Sequence, residues 1–274
     1  MPAPHELDPS ASPLALLGSE LRKYRLAANL SQEQLGEMIN FSTGMISFIE
    51  RAERAPRREF VELCEKALGL DGELLRLWPL ITMESSPQWF RPWLQIEPDA
   101  RTLRTWQPLL IPGLLQTEEY ARAILSGEPG MKPEQIEEAV AARMHRQTIF
   151  ERSTPPMFWV VLDEGVLSRP VGSGEVMHNQ LKHLIDMAGH PFVTIQLAPL
   201  DSRATCGLEG GFVIAQLAGQ ADTVFLESAT LGYVTNRPEE VSAVTVRYEA
   251  IRAEALPATL SMKLINEKMV NTWT

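Results

Sequence analysis

Side chains capable of catalysis or metal binding are scattered through the second half of the chain, and their spacing does not assemble a site. His178 and His183 are five residues apart on an expected helix, about 140° apart around its axis, and are therefore poor co-ligands. Asp163 and Glu164 end an expected strand and point to opposite faces. The Gly172-Ser173-Gly174 turn lacks the Lys-Ser/Thr of a Walker motif, which favours a helix cap. The other candidates are His145, His190 and Cys206, and no catalytic or metal-binding motif surrounds them. We therefore expect no enzyme, no metal ion and no cofactor.

Positive charge is concentrated near the start of the chain, although the chain as a whole is acidic. Its 25 Lys and Arg against 35 Asp and Glu give a formal charge of -10, which by itself argues against a nucleic-acid partner. Between Glu20 and Arg58, however, seven basic and five acidic residues give +2, and the remainder therefore carries -12. The densest basic cluster lies at the end of this segment and consists of Arg51, Arg54, Arg57 and Arg58.

Short helices are predicted throughout residues 14–80, and the sequence marks where two of them begin and end. Ser31 is an N-cap residue with Gln34 in the capping-box position, so a helix begins there. Asn40 can adopt the left-handed conformation that ends this helix, and Ser42 caps the next one. Because helices this short are unstable alone, neighbouring helices must cover their apolar faces.

The two helices and the tight turn between them form a helix-turn-helix pattern, in which the second helix enters the DNA major groove. Gly36 lies where the two helices face each other, and its small size permits a close crossing. Leu35, Ile46 and Ile49 supply a shared core, while Phe41 fills the turn. We therefore predict an N-terminal five-helix domain that binds DNA.

This segment resembles the Cro/CI-type family of regulators, also called the XRE type. The matching residues are Leu21-Arg22, Arg25, Leu30-Ser31-Gln32-Glu33, Leu35, Ser42, Ile46-Ser47 and Ile49-Glu50-Arg51. The resemblance covers roughly residues 14–70 and implies a homodimer that binds double-stranded DNA on paired half-sites. It also implies that Arg25 and Glu50 form a buried structural ion pair, which agrees with the rarity of unpaired buried charges.

The resemblance further implies which residues contact DNA. Phosphate contacts fall to Gln32, Ser42, Arg51, Arg54, Arg57 and Arg58. The alternative for the arginines is a solvated charged loop, because Glu53 and Glu59 are interleaved. The base-reading positions are Thr43, Gly44, Met45, Ser47 and Phe48. None of these is an Arg, Lys, Gln or Asn able to contact a base edge in bidentate fashion, so DNA shape and dimer spacing should contribute much of the specificity. A further alternative places Phe48 against another protein surface.

Beyond residue 83 the pattern changes to a mixed one. The predicted fold class is α plus α/β, with a five-helix N-terminal domain, a helical connector and a C-terminal mixed-sheet domain. The predicted divisions are a disordered tail 1–13, a DNA-binding domain 14–83, a connector 84–98, and a regulatory domain 99–274 that is helical over 99–153, α/β over 154–256 and a tail over 257–274. A helix is predicted over Asp99–Trp106, and the apolar residues of Thr259–Val270 are expected to dock on a second subunit.

The run LRTWQPLLIPGLLQTEEYARAIL (Leu103–Leu125) is similar to the opening of the C-terminal domain of actinobacterial WhiJ-type regulators, which are toxin–antitoxin-like. The similarity implies a transcriptional regulator whose C-terminal domain dimerises and receives a signal or partner. The alternative is an antitoxin-like protein that mainly neutralises a small neighbour-encoded partner and regulates its own synthesis by binding DNA. Two cysteines, no apolar run of membrane-spanning length and no signal-peptide pattern predict a cytoplasmic, nucleoid-associated protein without a membrane partner.

Overall fold

The computed structural model describes residues 7–84, 86–228 and 230–273, and the chain divides into two compact units. The first unit joins the residues up to Ser86 to the later segment Met131–His145. The second unit contains Pro87–Gly130 and the residues from Arg146 onward. Residues 1–6 of the predicted tail lie outside the described residues, and Pro13, at the end of that tail, begins a helix.

The helices and strands follow one another in a mixed order after the first five helices. The helices are α1 (Pro13–Ala27), α2 (Gln32–Ile39), α3 (Thr43–Glu50), α4 (Arg58–Leu68), α5 (Trp78–Glu84), α6 (Arg91–Ile96), α7 (Glu118–Ser126), α8 (Pro133–Arg146), α9 (Gly174–Ala188), α10 (Pro238–Glu254) and α11 (Ala258–Thr272). The strands are β1 (Ala100–Gln107), β2 (Met157–Asp163), β3 (Val193–Ala198), β4 (Phe212–Leu217), β5 (Thr223–Glu227) and β6 (Gly232–Thr235). This confirms the predicted fold class of an N-terminal helix-turn-helix region followed by a mixed-sheet domain.

The first unit is built from α1–α5 together with most of α8. Its apolar core takes buried side chains from every one of the first five helices, including Leu17, Leu21, Leu35, Ile39, Ile46, Ile49, Phe60, Val61, Cys64, Trp78 and Ile81. Ala141 of α8 packs against this core as well. Mutual coverage of apolar faces is what stabilises helices as short as α2 and α3, which have eight residues each.

The second unit contains a six-stranded sheet in the order β3-β2-β1-β4-β5-β6. Strands β1, β2 and β3 are parallel, whereas β4, β5 and β6 continue the sheet in antiparallel fashion. Strands β1 to β5 contribute side chains to two separate cores, one on each face of the sheet, as the strand pleat requires. Val160 and Leu162 of β2 face the core that contains α9, while Val161 faces the one that contains α10.

The structure corrects the helix predicted over Asp99–Trp106, because residues 100–107 form the central strand β1. Leu103 enters one core of the second unit and Trp106 enters the other, a pattern that a strand buried on both faces produces. Its hydrogen-bonding partners β2 and β4 lie far away in sequence. Local periodicity therefore could not distinguish this strand from a helix.

Two further predictions about the C-terminal region also need correction. The predicted tail 257–274 contains helix α11, whose Ser261 and Ile265 are fully buried against the chain's own α9 and β3. Of the apolar residues expected to dock on a second subunit, Met262, Leu264 and Ile265 pack in the core of the second unit, whereas Leu260 and Val270 are exposed. Residues 131–145, predicted within the C-terminal domain, belong to the first unit. Among the described residues, no helix is both long and apolar enough to cross a membrane.

Candidate nucleic-acid interface

Side-chain caps fix the turn between α2 and α3. The Ser31 hydroxyl accepts a hydrogen bond from the Gln34 backbone N–H, and the Gln34 side chain accepts one from the Ser31 N–H at 2.7 Å, which confirms the predicted capping box. Asn40 ends α2 in the left-handed conformation at φ +60°. The Ser42 hydroxyl accepts from the backbone N–H at the third position of α3, as expected of an N-cap.

Two glycines allow the helices of the first unit to approach each other closely. A Cβ atom on Gly36 of α2 would lie 2.5 Å from the Phe41 carbonyl oxygen. A Cβ atom on Gly18 of α1 would lie 2.5 Å from the carbonyl oxygen of Ile49 in α3. Side chains at these positions would push α3 away from its neighbours, so the glycines determine where α3 sits.

A buried ion pair connects α1 to the end of α3. The Arg25 Nε and Nη2 atoms donate to the two carboxylate oxygens of Glu50 at 2.5 and 2.9 Å, and both side chains are almost fully buried. Arg25 also donates to the Leu30 carbonyl oxygen at 2.7 Å. The Gln32 side-chain amide, predicted to contact a DNA phosphate, donates to Glu50 at 2.8 Å. These bonds hold α1, the start of α2 and the end of α3 in one arrangement.

The outer face of α3 carries the predicted base-reading residues. Thr43, Gly44 and Phe48 are exposed, and the Phe48 side chain shows 46% of its surface. Met45 is half-buried against the core of the first unit, and Ser47 is half-buried. This face therefore offers a hydroxyl, a methyl group and an aromatic ring to a ligand, and little hydrogen-bonding capacity for a base edge.

The segment Arg51–Arg58, called here the arginine segment, follows α3 and leads into α4. The Arg51 guanidinium lies 5.3 Å from the centre of the Phe48 ring, donates to the Ser47 hydroxyl, and pairs with Glu53 at 2.7 Å. Arg54 and Arg57 are exposed. Arg58 pairs with Glu62 one turn along α4 at 2.7 Å. The arginines thus border the exposed face of α3, where a phosphate backbone would run beside a helix seated in the major groove.

Helix α8 brings acidic side chains to the arginine segment. Glu137 Oε2 lies 2.5 Å from Arg57 Nη2, and Glu138 accepts from the Ala55 backbone N–H at 3.4 Å. At the end of α8, His145 Nδ1 lies 3.2 Å from Arg58 Nη1. These α8 residues are 80 to 87 positions away in sequence from the residues that they contact in the arginine segment. Nothing in the local sequence pattern could have identified them.

Burial and charge shift the titration of two of these α8 side chains. Burial raises the pKa of Glu138, although the Ala55 hydrogen bond and the nearby Arg54 charge act in the opposite direction. Burial lowers the pKa of His145, and the positive charge of Arg58 lowers it further. The neutral imidazole is therefore favoured, which allows its Nδ1 atom to accept a hydrogen bond from the Arg58 guanidinium.

The candidate side chains that the sequence offered in the second unit make structural contacts. His178 Nδ1 bonds the carbonyl oxygen of Trp273, while His183 is half-buried and its buried Nε2 atom has no hydrogen-bond partner among the residues that the structure describes. Asp163 accepts from the Gly165 backbone N–H at 2.8 Å and so caps a turn. Ser173 is the N-cap of α9, which confirms the predicted cap in place of a phosphate loop. In the part of the chain that the structure describes, no three His, Cys, Asp or Glu side chains are grouped to hold a metal ion.

Comparison with known families divides the chain at a similar place. Residues 21–75 match the helix-turn-helix family, and residues 90–267, more than half of the chain, match a family described as a domain of unknown function (DUF5753). No curated protein and no solved structure matches the chain. The chain therefore belongs to the DUF5753 family, and its XRE-type helix-turn-helix makes it a DNA-binding regulator.

Proposed function

We propose that this protein is a sequence-specific transcriptional regulator that reads double-stranded DNA with the exposed face of α3. The observation that carries the proposal is the rigid support beneath that face. The buried Arg25–Glu50 pair and the close approach at Gly36 hold α3, while its outer residues and the arginine segment remain on the surface. A surface held in this way is prepared to enter a groove without further ordering.

The residues on this surface have different roles in the proposal. Arg51, Arg54, Arg57 and Arg58 hold phosphates, together with Ser42 and the backbone N–H groups at the start of α2 beside Gln32. Thr43, Gly44, Met45, Ser47 and Phe48 face the bases, where methyl contacts and hydroxyl hydrogen bonds provide modest direct readout. Sequence-dependent DNA shape supplies the rest of the specificity.

The second unit receives the signal in this proposal and holds two copies of the chain together. Regulators with this type of DNA-binding unit bind paired half-sites about 34 Å apart, which requires two copies in fixed relation. The sheet and helices of the second unit form a separate folded body with its own cores, as a module that binds a ligand or a partner protein requires.

Selection from a random duplex pool tests the proposal. The full chain should enrich one sequence with two related half-sites, and the enriched duplex should bind roughly 1,000-fold tighter than its scrambled version by fluorescence anisotropy. Light scattering on the same complexes should give two chains per duplex. Equal affinity for the enriched and scrambled duplexes would contradict sequence-specific binding. A small neighbour-encoded protein that is neutralised by a chain unable to bind DNA would favour the antitoxin-like role.

Two substitutions separate phosphate contact from base reading. Arg54→Gln should weaken binding to both duplexes alike and reduce the salt dependence of log K by about 1.8, because each of the two bound copies loses one phosphate contact. Thr43→Val should weaken binding only to the enriched duplex. Arg237→Gln, on the surface of the second unit, is the matched control and should change neither affinity.

A further inference from the structure

The acidic contacts made by α8 fall on the part of the surface proposed to hold DNA phosphates. Glu137 pairs with the Arg57 guanidinium at 2.5 Å, where the Arg57 side chain is 61% exposed and the Glu137 side chain 30%. Glu138 reaches the Ala55 backbone N–H at 3.4 Å and lies near enough to Arg54 to interact with its charge. Two neighbouring carboxylates of one helix therefore lie along Arg54, Ala55 and Arg57 of the arginine segment.

These contacts are of the kinds that DNA phosphates make. Phosphate oxygens are bound by guanidinium groups, by backbone N–H groups and by the N-terminal ends of helices. Glu137 uses a guanidinium group, and Glu138 uses a backbone N–H. The Ala55 N–H and the Arg57 guanidinium both belong to residues just before α4. This 11-residue helix begins at Arg58, and its N-terminal end favours an anion. The carboxylates thus occupy positions suited to phosphate oxygens.

The remainder of α8 keeps the two carboxylates in place. Ala141, one turn after Glu137, packs against the core of the first unit. The His145 ring meets the edge of Trp78 with ring centres 6.4 Å apart, and its Nδ1 atom lies against Arg58. Helix α8 thereby engages Arg57 through a charge and Arg58 through a neutral ring.

We propose that α8 is an intramolecular competitor of DNA, whose Glu137 and Glu138 must leave the arginine segment before phosphates bind there. This inference rests on the proposed function, since it requires that the arginine segment bind DNA. Helix α8 lies inside the residues that match the domain of unknown function, and the chain belongs to the second unit both before Met131 and after His145. A ligand or partner that displaces α8 therefore raises DNA affinity, and DNA binding in turn favours the displaced position.

Removing the two charges tests the competition on the full chain. The variant E137Q/E138Q keeps the shape of both side chains but removes their attraction for the arginines. With a fluorescent 30-base-pair duplex of random sequence in 0.1 M salt, it should bind roughly 3- to 30-fold tighter than the wild type, because half-exposed pairs contribute only modestly. The gain should shrink as salt is raised, because salt screens exposed charges.

A matched control separates competition from a change in total charge. The variant E119Q/E128Q removes the same two charges from exposed positions in the second unit and should bind like the wild type. Arg57→Gln supplies a third comparison. In that background the gain from E137Q/E138Q should be smaller, because one of the contested contacts no longer exists. Thermal unfolding of each variant checks that the fold is retained.

The outcomes distinguish this inference from the proposed function. Tighter binding by E137Q/E138Q alone supports the competition. Measurable DNA binding that is equal in the wild type and in E137Q/E138Q, or an equal gain in E119Q/E128Q, overturns the competition and leaves the proposed function standing. If none of the folded variants binds any duplex, the proposed function itself fails and the competition fails with it.

Discussion

Two buried polar groups, one in each unit, have different structural roles. In the first unit, the charged pair Arg25–Glu50 joins helices beneath an exposed surface. In the second unit, the neutral amide of Gln180 accepts from the Thr117 backbone N–H and donates to the Leu115 carbonyl oxygen, both at 2.7 Å. The first arrangement sets the position of a surface, and the second satisfies the backbone of a buried bend. The comparison separates the cost of an unpaired buried charge from that of unpaired backbone groups.

Breaking the charged pair should have the largest effect. Glu50→Ala leaves Arg25 buried without its carboxylate and should lower the free energy of unfolding by about 3–5 kcal/mol. Glu62→Ala removes the exposed partner of Arg58 in the same unit and should cost only about 0.3–0.5 kcal/mol. The shift of the urea unfolding transition measures both. Similar losses in the two variants would show that the buried pair has no special importance.

Removing the buried amide of the second unit should have the next largest effect. Gln180→Leu leaves the Thr117 N–H and the Leu115 carbonyl oxygen without this partner, and a buried unsatisfied group costs about 1–3 kcal/mol. We expect a total loss of about 2–4 kcal/mol in urea unfolding. Asn179→Leu changes an exposed neighbour on the same helix and should remain within about 0.5 kcal/mol of the wild type. If Gln180→Leu lowered the free energy of unfolding more than Glu50→Ala does, the buried amide would be the more important of the two groups.

A methyl group at the crossing of α2 and α3 should have a smaller effect. Gly36→Ala places a Cβ atom against the Phe41 carbonyl oxygen and should destabilise the first unit by about 1–3 kcal/mol. Gly44→Ala is the control, since its Cβ would approach nothing nearer than the Ser42 hydroxyl at 3.9 Å. Alanine is the better helix former, so this control should stabilise α3 by up to about 1 kcal/mol. Destabilisation by both variants would mean that the close approach at Gly36 is not the cause.

The reactivity of the two cysteines should distinguish the two units in a measurement that needs no substitution. Burial raises the pKa of the Cys64 thiol to about 12, so almost none of it is ionised at pH 8. Cys206 in the second unit is only half-buried. A thiol reagent at pH 8 should therefore label Cys206 in the native protein and both cysteines in denaturant. Equal labelling rates in the native protein would show that the core of the first unit opens readily.

The sequence was informative where structure depends on near neighbours. The caps at Ser31, Asn40 and Ser42 each involve residues within one turn, and the structure confirms their predicted geometry. The Arg25–Glu50 pair, implied by the family resemblance, is present with both carboxylate oxygens engaged. The DNA contacts themselves remain predictions.

Contacts between distant segments could not be anticipated. Strand β1 is defined by its pairing with β2 and β4, and its own residues do not exclude a helix. The acidic side chains of α8 reach the arginine segment only because the chain returns to the first unit after passing through part of the second. The Gln32 amide likewise turns to Glu50, which its sequence neighbours do not reveal.

The central position of β1 has a consequence for how the second unit opens. This strand is bonded on both sides and contributes Leu103 to one core and Trp106 to the other. The helices on either face of the sheet cannot separate fully from it without exposing one apolar face of β1. The two layers should therefore lose structure together, and the β1 amides should exchange with deuterium only when the whole unit unfolds.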